Sequence, residues 1–145
     1  MRERFKISIS VFSVVRNENQ VLMILRSNTG WMDGYWSLPA GAMDGGEIAS
    51  HAAARELLEE ASLTVKPSEL RLIHTQHNFT HGNEWIGLYF EALAVDGEPK
   101  LGEPHRHGDL RWIDLRYLPQ NVVPYVRDAL GRMSDCESFS DYSDH

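Results

Sequence analysis

Cysteine is almost missing from this chain: Cys136 is the only one in 145 residues. A single thiol forms no internal disulfide, so nothing ties the fold to an oxidising compartment. Long apolar runs are missing as well, none approaching the roughly 18 residues a membrane-spanning helix needs. The opening MRERFKISISVF has no apolar stretch leading to a small-residue cleavage site, the mark of a secretory leader. Positive charge is scarce, with 14 Lys and Arg against 21 Asp and Glu, a net charge of -7. That balance argues against a protein that grips DNA or RNA backbones, and a polyphosphate ligand would need metal ions to bridge it. These absences lead to the expectation of a cytoplasmic protein with neither a membrane nor a nucleic-acid polymer as partner.

What is present is ordinary for one globular domain: 42% hydrophobic and 24% charged residues. The expected organisation is a domain over residues 1–133 and an unfolded acidic tail over 134–145, whose SDCESFSDYSDH is rich in Ser and Asp. Residues 7–15 alternate apolar and polar and are β-branched, which reads as a strand; Val21–Leu25 reads as a second, joined to it as a hairpin through Asn17, Glu18 and Asn19. A polar loop over 27–35 leads to AGAMDGGE, where glycines forbid a regular element. Residues 47–61, with no Gly or Pro and many Ala, Leu, Glu and Arg, give the strongest helix signal. Two longer strands follow at 71–79 and 85–95, separated by His81, Gly82 and Asn83. A loop over 96–109, a short strand at 110–115 and a helix over 121–133 complete the pattern. Strands before, between and after two helices predict an α/β layered domain with a mixed sheet.

On the first helix Glu56, Glu59 and Glu60 fall at i, i+3 and i+4 on one face, with Ala54, Leu57, Leu58 and Ala61 assigned to the other. Like charges so placed repel by about 0.2–0.5 kcal/mol per pair in an exposed helix. Arg55, four residues before Glu59, is one offset; a hard divalent cation, which prefers oxygen ligands, is another. From the triplet alone a solvated acidic face stands beside a metal-binding one.

The surroundings decide between them. From Gly41 the order is Gly, five residues, Glu47, seven residues, then Arg55-Glu56-Leu57-Leu58-Glu59-Glu60-Ala61-Ser62-Leu63. This resembles the signature of the Nudix hydrolases, Gly-x5-Glu-x7-Arg-Glu-U-x-Glu-Glu-x-Gly-U, with U a bulky aliphatic residue, and Leu38-Pro39-Ala40-Gly41 resembles the family's approach to it. One position departs: Ser62 stands where the signature has its second glycine. At a helix end such a glycine commonly takes a left-handed conformation, which costs a non-glycine residue about 1–2 kcal/mol.

The resemblance implies a Nudix α/β/α sandwich with a mixed central sheet, of the MutT-like branch, and a pyrophosphohydrolase that attacks phosphate with metal-activated water. Mg2+ is the implied cofactor, with Mn2+ as a substitute. Carried over by position, Glu59 and Glu60 are the principal ligands, the Gly41 carbonyl a further one, Glu56 a ligand or the general base, and Arg55 its orienter. Glu59 belongs to the catalytic group too, and Glu47 supports the loop or binds metal. A later acid completes the set, with Glu103 preferred over Glu98. Arg26 on phosphate, Phe79 stacked on a base and Asn121 reading a purine edge form the implied substrate contacts. Against these stand a surface charge, a core aromatic and a helix cap respectively. Trp31, Tyr35 and Trp36 wall the pocket or merely pack, and His105-Arg106-His107 lacks the third ligand of a metal site.

The expected substrate is a nucleoside tri- or diphosphate, an oxidised nucleotide such as 8-oxo-dGTP included. The alternatives are ADP-ribose or another nucleotide sugar, or a non-catalytic nucleotide-binding module of the same fold. A homodimer is compatible with either.

Overall fold

The computed structural model describes residues 2–144. Among them the strands are β1 (Ser8–Val14), β2 (Arg16–Asn17), β3 (Gln20–Arg26), β4 (Trp36–Ser37), β5 (Ala40–Ala42), β6 (Leu70–Thr80), β7 (Asn83–Ala92), β8 (His107–Asp114) and β9 (Phe139–Ser143). The α-helices are α1 (Ala49–Ala61) and α2 (Pro124–Ser134). The longest ladder, β6 with β7, is closed by His81 and Gly82 at φ 51° and 77°. A two-residue hairpin turn of type I′ needs φ > 0 at both positions, and glycine meets that at no steric cost.

β1 runs parallel to β7, and the sheet order is β5-β1-β7-β6-β9. A second sheet is built around β3, which pairs with β2, β4 and β8. Backbone hydrogen bonds from Ser13 to Pro39 and from Leu22 to Val15 join the two sheets into one layer. Alternation along β1 and β3 then sorts side chains to two cores. Val11, Val15 and Leu22 meet Ala53 and Leu57 of α1, while Phe12, Val14, Val21 and Met23 meet Val126 and Leu130 of α2. A strand buried on both faces presents apolar residues at every position, and the helix-sheet-helix layering follows from that.

Three expectations change. The hairpin between residues 7–15 and 21–25 is confined to β2 and β3, because β1 uses both its edges on β5 and β7. Leu58, assigned to the apolar side of α1, is 52% exposed.

The acidic tail is also corrected. Residues 139–143 form β9, parallel to β6 with Thr75 opposite Phe139. An edge strand is held chiefly by main-chain hydrogen bonds, which leave no apolar period to read. His74, wholly buried, pins this segment: its Nδ1 donates to the Glu137 carbonyl at 2.7 Å, so its Nε2 accepts from the Ser140 hydroxyl at 2.8 Å.

Candidate active site

The loop that begins with β5 and the face of α1 form one unit because Gly41 has no side chain. A Cβ there would overlap the Glu56 carboxylate, so glycine is what lets that carboxylate lie directly against the loop. The neighbouring Ala40 N–H donates to Glu60 Oε1 at 3.0 Å, fixing helix to loop a second time. α1 ends at Ser62, whose φ of 60° and ψ of 25° are left-handed as the signature glycine's role requires. The Ser62 hydroxyl donates to the Lys100 carbonyl at 3.1 Å.

Arg55 is the hub of the acidic face. It donates to both oxygens of Glu47 at 2.7 and 3.0 Å, to Glu56 at 2.9 Å and to Glu59 at 3.3 Å. Its hydrogen bonds hold the Glu47 carboxyl down at about 2, and those same partners raise the guanidinium. Glu47 also accepts from the Asp44 N–H, tying off the glycine turn.

Glu60 behaves in the opposite way. It is 6% exposed, and burial pushes its carboxyl up to about 9, with Glu56 and Glu103 adding repulsion. Glu56, half-buried and hydrogen-bonded to Glu60, is raised by the same loss of solvent. Two desolvated carboxylates in contact repel each other, and while Arg55 offsets the charge of Glu56, Glu60 is met from the loop by the neutral Ala40 N–H. That need for positive charge, met by oxygen ligands alone, fits a hard divalent cation. Among the described residues no three ligand side chains already converge as a cage; Glu59 instead leans on Arg55.

The loop before β8 reaches the same place. The Lys100 N–H donates to the Ala61 carbonyl and the Gly102 N–H to the Glu60 carbonyl, at 2.9 and 3.0 Å. A Cβ on Gly102 would overlap the Glu59 carbonyl. These contacts satisfy helix-end carbonyls and set Glu103 close enough to Glu60 to repel it. Glu98 lies exposed on the same loop.

Gly41 and Ala40 also border a cleft of about 430 Å³ whose wall includes Arg26, Arg106, Phe12, Trp31, Trp85 and Tyr125. Arg26 is therefore in the cleft, though its guanidinium is engaged with the Trp31 carbonyl at 2.8 Å and Thr29 at 3.2 Å.

Phe79 is not in the cleft. Its side chain lies on the opposite face of β6 from Thr80, 39% exposed and against His77, since strand residues alternate. Asn121 is neither on the cleft wall nor a helix cap; its amide donates to the Gly34 carbonyl at 2.8 Å, and Val123 is the N-cap of α2. Trp31 lines the cleft, Trp36 is buried in the core and Tyr35 is exposed. Of His105, Arg106 and His107, only Arg106 reaches the cleft, and His107 is buried with an unpartnered Nδ1.

Sequence reasoning missed Gly102, Arg106, Phe12, Trp85 and Tyr125. The glycine carries no signal distinguishing it from any loop glycine. For Phe12, the alternation Ser8, Ser10, Phe12 on the cleft side is a pattern that could have been read.

The NUDIX domain model matches residues 4–130, and the chain belongs to that family. It is 26% identical to the ADP-ribose pyrophosphatase of Methanocaldococcus jannaschii over 78% of this chain and 65% of that one. The 8-oxo-dGDP phosphatase of Mus musculus is 31% identical over 86% of this chain but only 36% of its own length. Thus the chain spans less than two thirds of both relatives. Among solved structures, the MutT NUDIX hydrolase of Burkholderia pseudomallei superposes with a TM-score of 0.79 at 28% identity, covering 88% of this chain and 98% of that one.

Proposed function

We propose that the chain hydrolyses the pyrophosphate bond of a nucleoside tri- or diphosphate with Mg2+, for which Mn2+ substitutes, and releases the monophosphate. Oxidised nucleotides fall within this substrate class. The carrying observation is the packing of the buried Glu60 and half-buried Glu56 against Ala40 and Gly41, which themselves border a cleft with two arginines and an aromatic wall. The cleft's 430 Å³ lies within the range of small-molecule binding sites. The net charge of -7 weighs against a nucleic-acid polymer.

Glu56, Glu59 and Glu60 would hold the cation, with the Gly41 carbonyl and Glu103 as further ligands. When bound, divalent cations neutralise the pyrophosphate oxygens and lower the pKa of water. Glu56, oriented by the Arg55 guanidinium at 2.9 Å, is assigned to take the proton from the attacking water. Arg55 orients Glu56 and Glu59. Glu47 spans Arg55 and the Asp44 amide, so its role is to hold Arg55 rather than metal. Arg26 and Arg106 receive the phosphates.

A screen of nucleoside triphosphates, diphosphates, ADP-ribose and nucleotide sugars with Mg2+, with products identified, tests the reading. Monophosphate release from tri- or diphosphates is the expected result. Turnover confined to nucleotide sugars would replace it with the alternative, and turnover of nothing would leave a binding module.

A further inference from the structure

The inward face of β6 carries polar side chains where apolar ones would fill the core at lower cost: Gln76 and Asn78 are 0% exposed and Thr80 is 4%. They form a relay with only one possible direction. The Tyr125 carbonyl can only accept, so Gln76 gives it an amide N–H at 2.9 Å and turns Oε1 away. That oxygen accepts from Asn78 Nδ2 at 3.1 Å and from the Tyr89 hydroxyl at 3.2 Å. Asn78 Oδ1 therefore accepts from the Thr80 hydroxyl at 2.8 Å. With its proton engaged, the Thr80 oxygen accepts from the Trp85 indole N–H at 3.0 Å.

The relay holds both ends of an aromatic stack. Phe12 lies between Tyr89 and Trp85, at centroid distances of 4.3 and 6.1 Å and interplanar angles of 10° and 26°. Gly87 makes the slot: a Cβ there would press on Phe12, Trp85 and Tyr89 at 3.2 to 3.3 Å. Tyr89 is anchored through Gln76 and Trp85 through Thr80, and both Phe12 and Trp85 face the cleft.

We propose that Thr80 is a positioning residue that sets specificity: locked as an acceptor by the buried relay, it fixes the Trp85 indole as a rigid wall on which a planar base stacks. The inference rests on the reading of the cleft as the nucleoside subsite. A base stacked on an aromatic ring gains affinity that a base-free pyrophosphate does not, and a wall already ordered loses less entropy on binding.

Calorimetric titration of the full chain with Mg2+ present compares the α,β-methylene analogues of ADP and GDP with methylenediphosphonate, which has no base. Thr80→Val is expected to weaken the nucleotide analogues about tenfold relative to methylenediphosphonate. Thr80→Ser, which keeps the hydroxyl, should restore the ratio, and Thr80→Val should add nothing in a Trp85→Ala background. Should Thr80→Val not fold, Trp85→Phe carries the same expectation, since it keeps a ring and deletes the N–H. Equal weakening of all ligands, or Thr80→Ser as damaging as Thr80→Val, overturns the proposal. Trp85→Ala weakening nucleotides while Thr80→Val is silent overturns the relay alone. Trp85→Ala without effect, or no nucleotide binding by the wild type, overturns the cleft reading itself.

Discussion

Two walls meet at Gly41 and are made in opposite ways. The acidic wall comes from one continuous stretch, Gly41 to Ser62, in which a glycine, an arginine and four glutamates hold one another through contacts mostly within a few helical turns. The aromatic wall draws Phe12, Trp31, Trp85 and Tyr125 from four separate elements, held by a relay running from β6 to α2. The acidic wall is charged and chemically demanding; the aromatic one is passive and shaped. The contrast teaches that reaction class can be written into a short local pattern, whereas what is attached to the reacting group depends on tertiary assembly.

Damage to the acidic wall should be the most severe. Glu60→Gln removes one of two adjoining desolvated carboxylates at constant shape, so turnover should fall by about two orders of magnitude or more while the fold survives. Near wild-type turnover at saturating Mg2+ would remove Glu60 from the metal set. Next comes the loop that closes this wall. Gly102→Ala drives a Cβ into the Glu59 carbonyl and should displace Glu103, lowering kcat by roughly tenfold. If that loss acts through Glu103, Glu103→Gln and Gly102→Ala combined should cost little more than either alone, as residues working as one unit do. Additive losses would separate them.

On the cleft side the effects should be smaller. Asn121→Ala cuts the tie to the Gly34 carbonyl and loosens the 27–35 loop that carries Trp31. A rise in KM for all bases alike, by a factor of roughly five and worth about 1 kcal/mol, is expected. A loss restricted to one base would return Asn121 to a base-reading role. The smallest effect is Ser62→Gly, which relieves a left-handed residue but forfeits the hydroxyl bond to Lys100. Denaturant unfolding should show a gain of about 0.5 kcal/mol.

The same contrast sets how much was legible in the sequence. Spacing alone placed Glu56, Glu59 and Glu60 on one face with Arg55 four residues before Glu59, because a helix converts sequence interval into angle without help from the rest of the chain, while the left-handed residue at Ser62 was located by the resemblance to the family signature. Elements with strong period or turn chemistry, such as α1 and the β6–β7 hairpin, were legible for the same reason. Phe79 was misplaced because one step along a strand reverses the face, and nothing in the sequence says which face meets the cleft. Asn121 failed differently: its partner, Gly34, lies 87 residues away. β9 was hidden because its pairing is carried by the main chain and by His74, while its sequence, FSDYS, has its two aromatics three residues apart and so shows no period-two alternation.

Whether a divalent cation supplies the charge missing around Glu60 is tested most directly by thermal unfolding across pH, wild type against Glu60→Gln, with chelator and with Mg2+. The Glu60 carboxyl is raised from 4.5 to about 9, so the folded state keeps a proton that the unfolded chain releases. The stability due to this group is therefore complete below about 4.5 and is lost as pH climbs toward about 9. Metal-free wild type should lose stability relative to Glu60→Gln across that window, and Mg2+ should restore it most at the alkaline end. A difference between the two proteins that does not change with pH, together with an equal Mg2+ response in both, would contradict a cation in that role.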